Sequence, residues 1–97
     1  SVIDIDFSNT IHALVINIPT TITSIPEDAG TADLGGATVV AAYNGPFPGS
    51  GNTHRYKFTV YALNTVTITQ TNFADTLAAA EAAAIGSASI TASYTQP

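Results

Sequence analysis

A run of glycines and prolines, Tyr43-Asn44-Gly45-Pro46-Phe47-Pro48-Gly49-Ser50-Gly51-Asn52-Thr53, leads directly into His54, Arg55 and Tyr56. Glycine and proline set the shape of a loop without filling it with side chains, so such a loop leaves an opening beside the polar rings that follow. An imidazole N–H and a phenol O–H are hydrogen-bond donors, and a histidine adds a charge that responds to pH. Binding of something small is the chemistry these residues offer. The chain holds one lysine, one arginine and two histidines, and His54 and Arg55 are adjacent.

Two other chemistries use the same residue types. The histidines His12 and His54 with the aspartates Asp4 and Asp6 could ligate zinc or manganese, but their separation in sequence carries no ligand spacing. Ser50, His54 and an aspartate could be drawn as a hydrolytic triad. No Gly-x-Ser-x-Gly elbow is present, and Gly49-Ser50-Gly51 reads more simply as a turn. The residues are expected to do no catalysis, with no metal or other cofactor.

The elements that must position these groups are mostly strands. Val2 to Phe7 alternates, with Ile3, Ile5 and Phe7 on one side and both aspartates on the other, which predicts a strand. Ile11 to Ile18 is almost continuously apolar and predicts a strand buried on both faces, closed by Pro19; His12 shares a face with Leu14, Ile16 and Ile18. Thr20 to Ala37 is irregular, with a helical turn expected near Pro26-Glu27-Asp28. Thr38 to Ala42 reads as a short strand. His54 to Leu63 is the clearest one, with His54, Tyr56, Phe58, Val60 and Ala62 on one face and Arg55 and Lys57 on the other. Val66, Ile68 and Gln70 read as a further short strand. Asn72 to Ile85 predicts the one helix, capped by Asn72 with Asp75, with a stripe of Phe73, Leu77, Ala80 and Ala84 and with Gly86 ending it. Ser87 to Tyr94 alternates as a half-buried strand. Together these predict a mainly β domain, an antiparallel, sandwich-like sheet system with one C-terminal helix.

Composition narrows the partners. A chain of 97 residues is one small domain, burying about 60–65% of the surface that its unfolded form exposes. A net charge of −5 leaves no basic stripe for nucleic acid. No apolar run approaches the ~20 residues of a membrane-spanning helix, and the opening residues carry no targeting signature. With no cysteine there is neither disulfide nor thiol nucleophile. Charged residues make up 9%, against a usual ~25%, and serine, threonine and alanine take their place, a balance more usual outside the cytoplasm.

The loop and strand together, Gly45-Pro46-Phe47-Pro48 followed by His54-Arg55-Tyr56-x-Phe58-x-Val60-Tyr61-Ala62-Leu63, resemble the phosphatidylethanolamine-binding proteins, in particular their bacterial, Raf-kinase-inhibitor-like members. Asp4-Ile5-Asp6-Phe7 is similar to the family's Asp-Pro-Asp-Ala-Pro strand end. His12-Ala13-Leu14-Val15-Ile16-Asn17-Ile18-Pro19 is similar to its histidine strand, and Thr23-Ser24-Ile25-Pro26-Glu27 follows as in bacterial members. The resemblance implies a pocket for a small anion or a phosphorylated head group, built from Asp4, His12, Gly45, Pro46, Pro48, His54 and Tyr56, with Asp4 orienting a histidine. Arg55 is expected to be structural. The family's opening strands have no counterpart before Ser1: the chain is a fragment, the missing strands come from another chain, or the sheet is cut down, and a partner chain or self-association is expected to cover the edge near Val2–Phe7. A self-assembling structural subunit that keeps the pocket as a vestige is the alternative reading.

Overall fold

A computed structural model describes residues 1–26, 30–65 and 67–97. The protein is mainly β: one antiparallel sheet of five strands with a single α-helix late in the chain. The strands are β1 (Val2–Asp4), β2 (Thr10–Ile16), β3 (Thr38–Ala41), β4 (Thr53–Leu63) and β5 (Ala84–Thr95), arranged across the sheet as β3-β2-β1-β4-β5. The helix, α1, spans Phe73–Ala83 between β4 and β5.

β1 is the centre of the sheet. It pairs with β2 on one side and β4 on the other, so the edge expected near Val2–Phe7 does not exist; β3 and β5 form the edges. The strand is also shorter than its alternation predicts. It stops at Asp4 because Ser8 and Asn9 take positive φ values of 51° and 54° in a tight reversal, in which the Thr10 N–H donates to the Phe7 carbonyl. Asp4 and Asp6 therefore part company. Asp4 stays in the sheet and is buried, whereas Asp6 lies in the turn and is exposed.

β2 buries one face, not two: His12, Leu14 and Ile16 are buried while Ile11, Ala13 and Val15 are half-covered. Its end comes at Ile16, before Pro19, because Asn17 adopts φ 58°, a left-handed conformation that asparagine tolerates better than most residues. The turned Asn17 side chain then takes the place of a neighbouring strand. Its Nδ2 donates to the Ile68 carbonyl and its Oδ1 accepts from the Ile68 N–H at 2.8 Å. Ile68 is pinned in the core without the ladder that a strand over 66–70 would make; residues 67–70 are irregular, and Val66 lies outside the described residues.

The helical turn expected near Pro26-Glu27-Asp28 lies largely on residues 27–29, outside the described residues; a 3-10 turn stands at Thr31–Leu34. Gly35 closes that turn at φ 63°, with a β-carbon there coming within 3.1 Å of Pro19 and Ile22. Asn72 caps α1 as its spacing predicts, accepting from the Asp75 N–H at 2.9 Å and donating to the Asp75 carboxylate at 2.7 Å. The buried stripe is Thr76 and Ala80, however, and Phe73 is exposed. Gly86 does not end the helix. Ala84 turns into extended backbone, its N–H still donating to Glu81, and Gly86 is already a β5 residue opposite Ala62.

The core is small: Leu14, Ile16, Ala41, Tyr56, Ile68 and Ala80 are its buried apolar members. β5 is exposed along nearly its whole length, not half-buried, because it is an edge strand and no layer lies over either of its faces. In the distal part of β4 one face is likewise open, with Val60 64% exposed, while Thr59, Tyr61 and Leu63 on the other face are half-covered.

Candidate functional site

The residues singled out in the sequence meet where β1, β2 and β4 run side by side. Asp4 ends β1 directly opposite Tyr56, and His54 lies two residues away on the same face of β4. The Asp4 side chain is used twice. Oδ2 accepts from His54 Nδ1 at 2.7 Å, and Oδ1 accepts from the Asp6 N–H at 3.0 Å. A carboxylate can only accept here, so Nδ1 of His54 carries a proton and Nε2 is left for another partner. Phe7, the aromatic residue of the turn after β1, stacks on the His54 ring with centroids 6.3 Å apart.

His12 reaches the same place from β2. The pairing of β1 with β2 slips at this point, Val2 facing Ala13 while Ile3 faces Ile11, and His12 is the extra residue of the bulge. Its ring meets Tyr56 edge-on, with centroids 5.2 Å apart and planes at 83°. His12 Nδ1 donates to the Asn44 carbonyl at 2.9 Å and lies 3.2 Å from that of Gly45, and the Asn44 N–H returns a bond to the His12 carbonyl at 2.7 Å. Thus the first residues of the Gly/Pro loop are tied to β2 through both the backbone and the ring of one histidine.

The far end of the loop is held by the chain's last residues. The Gly49 and Gly51 N–H groups donate to the Gln96 side-chain and backbone oxygens, and the Gln96 N–H donates to the Asn52 carbonyl. Ser50 Oγ donates to the Pro97 carbonyl, so it is spent on the turn and makes no bond to His54. Gly49 stands at φ 91°, and a β-carbon there would meet Asn52 Nδ2 at 3.0 Å. Pro46 lines the opening beside Tyr56. Pro48 is buried within the loop, its carbonyl accepting from Asn52 Nδ2, and shapes the turn without reaching the rings.

What results is a pocket of about 190 Å³, walled by Val2, Tyr43, Asn44, Pro46, Tyr56, Phe58, Ala92 and Tyr94 among others. Tyr56 joins this cavity to the two histidines. It is 4% exposed, and its hydroxyl is buried without a well-formed hydrogen bond, the Asp4 carboxylate and the Phe47 backbone being the polar groups near it. Burial, with the nearby Asp4 carboxylate adding to it, holds the Tyr56 phenol above the usual tyrosine range. It is therefore a neutral O–H donor well into alkaline pH. Ultraviolet titration is expected to show a tyrosine step above the ordinary range that disappears in Tyr56→Phe. Since the folded-state value is raised, the associated stability is present below the unfolded tyrosine pKa and is lost as pH rises through the folded one.

On the opposite side of β4, Arg55 grips Asp6, with Nε and Nη2 donating to the two carboxylate oxygens at 3.0 and 2.8 Å and the backbone N–H adding a third bond at 2.7 Å. These bonds hold the Asp6 carboxyl down at about 2, from an ordinary 3.8. The depressed value means that the pair contributes stability above the unfolded carboxyl pKa and loses it as pH falls from about 4 towards 2. Urea unfolding at pH 5 and pH 2.5 should show that loss in the native protein and less of it in Asp6→Asn. Being exposed, the pair is also screened by salt. Arg55 is structural and points away from the pocket, as its place in the alternation requires.

Some members of the site had little signal in the sequence. Asn44 contributes through a backbone carbonyl, Gln96 through proximity created by the β4–β5 pairing, and Tyr94 as the cross-strand partner of His54. Phe7 could have been found from its place just after the two aspartates. Among the described residues no group of three His, Asp or Glu side chains is placed to hold a metal ion, and no helix is long and apolar enough to cross a membrane. No curated protein and no solved structure matches the chain. A family description does, over residues 1–95, and so over β1 to β5 with the Asp4–His54 pair, His12 and the Gly/Pro loop included. The chain belongs to the phosphatidylethanolamine-binding protein family.

Proposed function

We propose that this is a non-catalytic binding domain that takes a small phosphate-like anion, free or as a phosphorylated head group, beside Tyr56. The observation that carries the reading is the Tyr56 hydroxyl, which is buried and lacks a well-formed hydrogen bond even though the Asp4 carboxylate and the Phe47 backbone are near it. Such a group costs about 1–3 kcal/mol in the folded protein, and a ligand oxygen would recover that cost. Both imidazoles support it. Each has Nδ1 occupied by a fixed acceptor, so each offers only Nε2, which becomes a donor when the ring is protonated. Asp4 acts as the orienter of His54, which explains a carboxylate in an anion site. The loop and β4 strand resemble the bacterial, Raf-kinase-inhibitor-like branch most.

Tyr56→Phe tests this with two opposite signs. Removing the poorly bonded hydroxyl should raise the free protein's stability by about 1–3 kcal/mol. A hydrogen bond to a charged group is worth about 1.5–3 kcal/mol, so affinity for inorganic phosphate should fall at least about tenfold. Calorimetry with phosphate, and with phosphoethanolamine for the head group, reads the second effect. Unchanged phosphate affinity in Tyr56→Phe would overturn the proposal. Heat on titrating zinc or manganese, lost in His54→Ala, would favour a metal site instead.

A further inference from the structure

The longest strand of the sheet is also an edge. β5 has 12 residues, and on its far side no strand pairs with it among the described residues. Soluble proteins guard such edges with charges, prolines, bulges or very short strands. The opposite edge follows that rule, since β3 has only 4 residues. β5 does not. From Gly86 to Thr95 it runs against β4 without a bulge, and it contains no charged side chain and no proline. No charged side chain follows Glu81 anywhere in a chain of net charge −5, so the acidic surface stops short of this strand.

The alternation within β5 makes the edge self-complementary. Ala88, Ile90 and Ala92 lie on the face shared with Phe58 and Val60, and Ser87, Ser89, Thr91 and Ser93 lie on the other. A second copy related by a two-fold axis through Ile90 would pair antiparallel. Ile90 would meet Ile90, Ala88 would meet Ala92, and Ser89 would meet Thr91. Apolar side chains face apolar ones, hydroxyls face hydroxyls, and no charges oppose. Ile90 is 71% exposed in the single chain, and this pairing would extend the apolar strip of Val60, Phe58 and Ile90 into an identical strip of the partner. A foreign strand would need to supply the same neutral alternation. The second copy supplies it by identity.

We infer that the protein associates with itself through antiparallel β5–β5 pairing centred on Ile90, forming a continuous ten-strand sheet (twice the five of one chain). The N-terminal strand takes no part, being paired on both sides. The pocket beside Tyr56 is a separate matter, since its readout is phosphate binding.

Sedimentation of the full chain over a concentration series should show a monomer–dimer equilibrium, and amide exchange of β5 should slow as concentration rises. In I90K two lysines would stand opposite each other, and the concentration needed for dimer should rise at least about tenfold, consistent with loss of a cross-strand apolar pair and gain of like-charge repulsion on both sides of the axis. T38K on the β3 edge should leave the dimer unchanged. An equimolar mixture of I90K and I90E should recover dimer that neither forms alone, which happens only if residue 90 faces its own copy. A monomer at every concentration, with the protection of β5 amides independent of concentration, overturns the inference. So does an I90K protein that dimerises like the parent.

Discussion

Asp4→Ala is expected to destabilise the domain by about 3–5 kcal/mol, the range found when one partner of a buried pair is removed. Asp4 is 2% exposed, and the loss leaves two donors without acceptors, His54 Nδ1–H and the Asp6 N–H. The second of these also frames the turn that carries Phe7 and places Asp6 for Arg55. Against a total stability of about 5–15 kcal/mol for a domain, such a change is a large fraction. Asp4→Asn should be milder, because an amide oxygen can still accept from His54. Urea unfolding of both variants checks the order, and phosphate titration of the Asn variant checks the site. Equal midpoints for Asp4→Ala and the native protein would show that the His54–Asp4 bond contributes nothing to the fold.

Leu14→Ala should cost about 2–5 kcal/mol, the usual range for a buried leucine. Leu14 is 2% exposed and stands on β2 between His12 and Ile16, with few other buried apolar side chains in the core to share the loss. At roughly 4–8 °C per kcal/mol for a domain of this size, the melting temperature should drop by about 8–40 °C. His12 lies two residues away and carries the Gly/Pro loop, so phosphate binding should vanish at the same temperature as the fold. Val60→Ala is the contrasting case. Val60 sits on the most legible strand of the chain, yet its exposure means that truncation should change the melting temperature hardly at all. A large loss from Val60→Ala would mean that a layer covers that face in solution.

The pair Leu14 and Val60 shows how far reading along the chain can go. Both belong to apolar alternations, and alternation establishes which residues share a face, not whether that face is covered. Coverage comes from whatever packs across it. α1 contacts β2 and β4 and the Ile68 segment covers part of the sheet, while among the described residues β5 and the Val60 face of β4 stay exposed. Helix α1 makes the same point at smaller scale. Its cap was visible as Asn72 with Asp75, because capping is a local hydrogen bond over three residues. Its buried side was legible only in part: Ala80 belongs to the expected stripe, but the contacts with β2 and β4 bury Thr76 in place of Phe73.

For the site, residue types and local motifs were enough to single out His54 and Tyr56 on one strand face, Arg55 on the other and the Gly/Pro loop before them. The resemblance to a family added Asp4 and His12. These belong to the sequence because alternation, turn chemistry and a motif are properties of neighbours in the chain. Only the tertiary structure decided the rest. It separated Asp4 from Asp6, spent each histidine's Nδ1 on a fixed acceptor, left the Tyr56 hydroxyl buried without a well-formed hydrogen bond, and moved the open edge of the sheet from the N-terminal strand to β5. The reason is one of range: strand order and burial are set by contacts between residues tens of positions apart, such as Asp4 with His54, and no local pattern encodes which of those contacts will close.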